Sequence, residues 1–251
     1  MEIDFATIVL CGLIFGAAVL YTSVGHAGAS GYLAAMALMN VSPQIMRPTA
    51  LTLNILVATL ATLRWTRNGR DIAWRSLLPL VSASIPAAFL GGMLQLPSNQ
   101  YRFLLGVILL AAGVKFLIQP KDEKEDQSKA QPQLPWAIGL ITGGVIGLLS
   151  GLTGTGGGIF LTPILLIFGW AGARKASGLT APFILMNSIA ALAGNIAIIE
   201  KLPSELPLFV FAALGGALLG TQIGIQWTSS QTLQRLLGVV LLIAAGKFLL
   251  T

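Results

Sequence analysis

Apolar runs of membrane length alternate with short polar stretches along most of this chain. Phe5–Thr22 is long enough to span a bilayer, which takes about 20 residues of helix. A polar interruption follows at Ser23-Val24-Gly25-His26-Ala27-Gly28-Ala29-Ser30-Gly31. Ala29–Met39 is then short for a span and reads as a half-helix or re-entrant arm. Asn40–Arg47 forms a loop between that arm and the span Thr49–Leu63. The basic loop Arg64–Arg75 leads to the span Ser76–Leu94, the turn Gln95–Arg102 and the span Phe103–Ile118. Gln119–Gln133 alternates lysines with Asp and Glu and has no apolar face, so it reads as a mobile linker. The plan then repeats, with Trp136–Ser150, a glycine string, the arm Ile159–Trp170, and the spans Ser177–Ile199, Leu208–Trp227 and Leu233–Leu250. Residues 1–118 and 136–251 are two membrane repeats, and 119–135 is a polar cytoplasmic linker between them.

The glycine string, Gly151-Leu152-Thr153-Gly154-Thr155-Gly156-Gly157-Gly158, sits deep in an apolar region. Each glycine weakens a helix interior by about 1 kcal/mol relative to alanine. Backbone freed from a helix in lipid has no water to bond, so such a break survives only inside protein or along a cavity. The plain alternative is close helix packing through glycine. The Ser23–Gly31 stretch is its counterpart. Gly12, Gly16, Ser23, Gly31 and Arg47 match Gly139, Gly143, Ser150, Gly158 and Arg174 at a constant spacing of 127, and Lys115-Phe116-Leu117 matches Lys247-Phe248-Leu249 at 132. Charged residues recurring at matched positions point to a duplication.

Composition narrows the class. The chain is 55% hydrophobic and 10% charged, with mean hydropathy +0.83, against about 25% charged residues in soluble domains. This is an all-α integral membrane protein. The net charge of +6 does not indicate nucleic acid, because the basic residues cluster in loops between apolar spans. The single cysteine, Cys11, excludes an internal disulfide and a multi-cysteine metal site, and no cofactor is expected. Met1-Glu2-Ile3-Asp4 lacks the basic start of a cleavable signal.

Charge also bears on topology. With Arg64–Arg75 inside, hairpins followed by three spans give inverted halves and place eleven basic residues inside against four outside. Parallel halves of four spans score ten against five. Length favours the first, because Phe5–Met39 is too long for one crossing at 1.5 Å per residue. The expectation is two inverted repeats, each a broken or re-entrant helix pair followed by three transmembrane helices, with both termini outside a bacterial inner membrane. Homo-oligomerisation is left open.

Half-helix N-termini at paired breaks supply N–H donors and partial positive charge to an anion. Ser23, Ser30, Thr153 and Thr155 offer hydroxyls there, Gly28, Gly156 and Gly157 offer backbone, and Asn54 and Asn187 lie on the following spans. The competing reading for the two asparagines is an interhelical bond. His26, the single histidine, is placed to bind an anion when protonated or to relay a proton, or else to cap freed carbonyls. Arg47 falls on the outer side, where it would attract anions or stand as an ordinary surface arginine. An intramembrane protease is disfavoured, since a serine in Gly28-Ala29-Ser30-Gly31 has only His26 as a base, four residues away. A channel is not excluded. A cation carrier would want carboxylates inside the spans, where there are none apart from Asp4 near the start of the first.

The run Gly139-Leu140-Ile141-Thr142-Gly143, then Gly151-Leu152-Thr153-Gly154-Thr155-Gly156-Gly157-Gly158-Ile159-Phe160-Leu161-Thr162-Pro163-Ile164-Leu165, resembles the signature of the sulfite exporter TauE/SafE family. The likeness extends over essentially the whole chain. It implies a secondary transporter, not an enzyme, for a small sulfur-containing anion such as sulfite, thiosulfate or an organosulfonate. Proton coupling and alternating access at the paired breaks are the expected mechanism, and a carboxylate is the alternative cargo. The first half departs from the pattern, with Ala29-Ser30-Gly31 in place of the triple glycine, Met36 in place of Pro163, and His26 opposite Thr153.

Overall fold

The computed structural model describes residues 4–67, 72–118, 134–171, 173–195, 202–226 and 231–250, and these contain helices but no strand. In chain order they are α1 (Phe5–Ser23), α2 (Ala29–Leu38), α3 (Pro43–Arg67), α4 (Trp74–Met93), α5 (Ser98–Ile118), α6 (Trp136–Thr153), α7 (Gly158–Ile167), α8 (Ala173–Gly194), α9 (Leu206–Gln226) and α10 (Gln231–Leu250). Five of them, α1, α3, α4, α6 and α9, are long and apolar enough to cross a membrane. Large apolar side chains such as Phe5, Ile118, Ile141, Phe168, Phe211 and Leu250 are exposed on the outside, as a lipid-facing surface requires. Residues 119–133 of the expected linker, together with Arg70 and Asp71, lie outside the described residues.

The helices run further into polar sequence than the hydropathy pattern suggests. The expected loop Asn40–Arg47 is cut short, because α3 starts at Pro43 and takes in both Arg47 and Pro48. Proline suits that start, its missing N–H being unpaired in a first turn anyway. Arg64 and Arg67 close α3, Arg75 opens α4, and Arg102 lies within α5, so the polar connections are shorter than expected. Backbone hydrogen bonding continues past the last apolar residue because it is satisfied within the helix whatever the side chain.

The first short helix folds back on its predecessor, whereas α7 packs against α8. A Cβ on Gly31 would lie 2.8 Å from the Tyr21 ring and 2.9 Å from Ala17, so α2 returns along α1. Its end reaches the face from which α1 set out, where Met36 and Met39 line a cleft of about 400 Å³ with Asp4, Thr7 and Leu10. The carbonyl of Leu38 there accepts from Lys247 Nζ at 2.9 Å, which brings the end of α10 to the same face. In the second half, Trp170 and Ala171 beyond α7 join one core cluster with Leu134, just ahead of α6.

Glycine sets the closest helix contacts. Along α6, Cβ atoms on Gly143, Gly147 and Gly151 would overlap the carbonyls of Leu80, Ser84 and Ala88 in turn. Along α9, Gly216, Gly220 and Gly224 stand in the same relation to Phe15, Val19 and Ser23 of α1. Both pairs therefore run parallel, with backbones touching at every fourth residue. Gly106 and Gly113 of α5 meet Leu249 and Leu242 of α10 in the opposite sense. From these directions, α6 runs toward the face that carries the chain ends, whereas α1 runs away from it.

Candidate functional site

The two breaks, residues 24–28 and 154–157, come together in the interior against α3 and α8. Each is shaped by residues with left-handed backbone. Gly28 (φ 105°) caps α2, and Gly156 (φ 74°) and Gly157 (φ 82°) precede α7. Gly156 is tightly constrained, because a Cβ there would overlap the Asn54 amide and lie 3.0 Å from Ser188 Oγ. L-residues with side chains avoid this region of φ.

Asn54, fully buried in α3, joins the two breaks. Its Oδ1 accepts from Ala29 N at 3.0 Å, satisfying the first turn of α2. Its Nδ2 donates to Ser188 Oγ of α8 at 3.3 Å. The amide also lies directly beneath Gly156. One side chain thus satisfies the first break and shapes the second.

His26 reaches across the halves. Its Nε2 lies 3.0 Å from Thr162 Oγ1 on α7, and that hydroxyl is 2.9 Å from Thr180 Oγ1 on α8. Thr180 in turn donates to Ala176 O. The other ring nitrogen sits 3.3 Å from Val24 O. The histidine is 3% exposed and packs edge-on to Tyr21. The remaining polar groups of the first break are engaged within the protein. Ser23 Oγ donates to Leu20 O at 2.7 Å, Ser30 Oγ to Tyr21 Oη at 2.6 Å, and Tyr32 Oη to Ala27 O at 2.7 Å.

At the second break, Thr153 Oγ1 donates to Leu149 O at 2.7 Å and lies 3.0 Å from Thr155 Oγ1. Tyr101 Oη donates to the Thr153 carbonyl at 2.9 Å. Arg47 was expected as an outer loop residue; it is instead helical and 5% exposed. Its Nη1 donates to Leu94 O at 2.8 Å, and its Nη2 donates to Gly91 O and Gly92 O at 2.6 and 2.7 Å. Those are the unpaired carbonyls at the C-terminus of α4, where a cation also complements the helix dipole. The Arg47 stem lies beside Gly154, 3.0 Å from where its Cβ would be. Asn187 bonds within its own helix, Nδ2 to Phe183 O at 2.9 Å.

The structure therefore gathers Ser23, His26, Gly28, Ser30, Asn54, Thr153, Thr155, Gly156, Gly157 and Arg47 around the two breaks. Asn187 sits on α8, one residue from the Ser188 that touches Asn54. Tyr21, Tyr101, Thr162, Thr180 and Ser188 belong to the same constellation and are absent from the sequence reading. Thr162 was open to recognition, as a polar residue before Pro163 in an otherwise apolar arm.

The family model described as sulfite exporter TauE/SafE matches residues 8–248. The probable membrane transporter protein y4hK of Sinorhizobium fredii (strain NBRC 101917 / NGR234) is 38% identical over 246 residues, covering 98% of this chain and 99% of that protein. No solved structure gives a significant match.

Proposed function

The chain belongs to the sulfite exporter TauE/SafE family and is an integral membrane transporter, and from that premise we propose that it is a secondary carrier for a small sulfur oxyanion. Sulfite, thiosulfate and short organosulfonates are the candidate cargo. The observation that carries this reading is the meeting of two helix breaks on Asn54, deep in the protein. Paired breaks at depth are how secondary carriers build substrate sites, with half-helix N-termini facing the anion.

The two halves act as inverted copies that rock against each other, and the opposite directions of α1 and α6 support that arrangement. Access alternates because the breaks are enclosed: His26, Ser30, Asn54, Thr153 and Thr155 are each at most 3% exposed. Such a site reaches water on either side only when helices move. His26 carries the coupled proton, and its contact with Thr162 and Thr180 links protonation to the packing of α7 on the first break.

Flux in proteoliposomes of the purified protein, with and without a pH gradient, tests this. Sulfite, thiosulfate, isethionate, sulfate, acetate and chloride form the panel. Saturable movement of one sulfur anion, driven by the gradient, is the expected result. Movement of acetate alone, with folded protein, would replace the cargo by a carboxylate. His26→Ala should abolish or uncouple transport while leaving folded protein, and wild-type rates with wild-type pH dependence in that variant would remove the histidine from the mechanism.

A further inference from the structure

Resting on the reading of this chain as an anion carrier, we infer that the two breaks divide the work, and that the anion is held at the second one, by Arg47, Ser150 and Thr155. The first break is the proton-linked partner.

The asymmetry lies in the hydrogen bonding. Around the first break, Ser23, His26, Ser30, Tyr32 and the Ala29 amide all have protein partners. Around the second, Arg47 Nε and Ser150 Oγ are buried and have no partner among the described residues. Most buried polar groups are paired; among the buried atoms of the described residues that are not, these two flank the second break, one at each end, where a ligand would meet both. Ser150 is completely buried and lies beside the N-terminus of α7, its Cβ 3.5 Å from where a Cβ of the capping residue Gly157 would be. Arg47 approaches the same break from the other end, against Gly154. Thr155, between Gly154 and Gly157, is 3% exposed.

Charge points the same way. A buried cation needs a counter-charge. Arg47 meets only carbonyls through its two terminal nitrogens. The described carboxylates, Asp4 and Glu205, line the cleft beside Leu10 and Met36 and are not its partners. The free Nε–H, the Ser150 hydroxyl and the start of α7 are donors suited to an anion with several oxygens, and the Thr155 hydroxyl, which donates to Thr153 Oγ1 in this structure, would turn to the anion when it binds. The chemical class is a compact oxyanion, with one negative charge offset by Arg47. A carboxylate shares part of this chemistry, so the probe panel includes one.

The test is equilibrium binding of sulfite, isethionate and acetate to the purified full-length protein, read by titration calorimetry. Ser150→Ala and Thr155→Val, at the second break, are compared with Ser23→Ala and Ser30→Ala at the first. Arg47→Lys retains the charge while removing Nε, and is checked for folding by gel filtration because Arg47 also caps α4. Loss of one hydrogen bond to a charged group should weaken binding by roughly tenfold or more. The expected outcome is that loss at Ser150 and Thr155, with the first-break variants within about twofold of wild type. Equal losses at both breaks, or losses confined to the first, would overturn the assignment. If only acetate binds, and binds in this second-break pattern, the cargo class fails while the site stands. If the wild type binds none of the three, both fail.

Discussion

Asn54 shows how one residue in this chain serves two segments. It accepts the Ala29 amide and fills the space that Gly156 leaves open. Asn54→Ala should destabilise the protein by about 1–3 kcal/mol, the cost of a buried N–H left unpaired, read as a lower midpoint in thermal unfolding in detergent. An unchanged midpoint would mean that Ala29 finds another acceptor. Polar residues such as His26, Asn54, Thr153 and Thr155 were legible in the sequence because they interrupt apolar runs. Arg47 was not. Its surroundings, with Pro43 and Pro48, resemble a loop, and only the three-dimensional contact with the end of α4 makes it a buried cap. Tyr21 was missed because an aromatic residue in a span reads as apolar filler, and Tyr101 because it falls in the expected turn Gln95–Arg102, whereas in the structure it lies in α5; their hydroxyls meet Ser30 and the Thr153 carbonyl.

Among the elements, glycine spacing separates packing from decoration. Gly147→Ala and Gly220→Ala would each push a methyl group into a backbone carbonyl of the neighbouring helix, and backbone cannot rotate away as a side chain can. Each should cost about 1–3 kcal/mol through overpacking. Gly16→Ala meets nothing within 4 Å and should be tolerated or slightly stabilising. Thermal unfolding of the three variants side by side checks the order, and a Gly16 variant as damaging as the other two would contradict it. The repeat spacing paired Gly16 with Gly143, yet only Gly143 is in close contact. In the first half that contact falls to α9, whose glycines meet α1. A sequence match identifies corresponding positions but not which helix of a pair supplies the small residue. The first hairpin was more accessible, since Phe5–Met39 is too long for a single crossing and too polar at its middle for an unbroken one.

For the molecule as a whole, the contact of Lys247 with Leu38 and the shared cleft of Asp4 and Met39 bring both chain ends to one face. With Cys11 replaced by alanine, single cysteines at positions 4 and 250 should both react with a membrane-impermeant maleimide applied to intact cells. One at position 67 should react only after the membrane is opened. Labelling of positions 4 and 250 from opposite sides would break the arrangement. The membrane class and the order of helices were readable from hydropathy, because lipid imposes helix length on sequence. The mutual fit of the two breaks was not readable, because it depends on which helices cross at Asn54. The central claim, a carrier in which the enclosed breaks take up a sulfur oxyanion and release it on either side, is tested most directly by counterflow. Proteoliposomes loaded with unlabelled sulfite should take up external radiolabelled sulfite transiently above equilibrium, and Thr155→Val should weaken that overshoot. Uptake that is indifferent to internal sulfite and does not saturate would contradict the account and make the protein a pore.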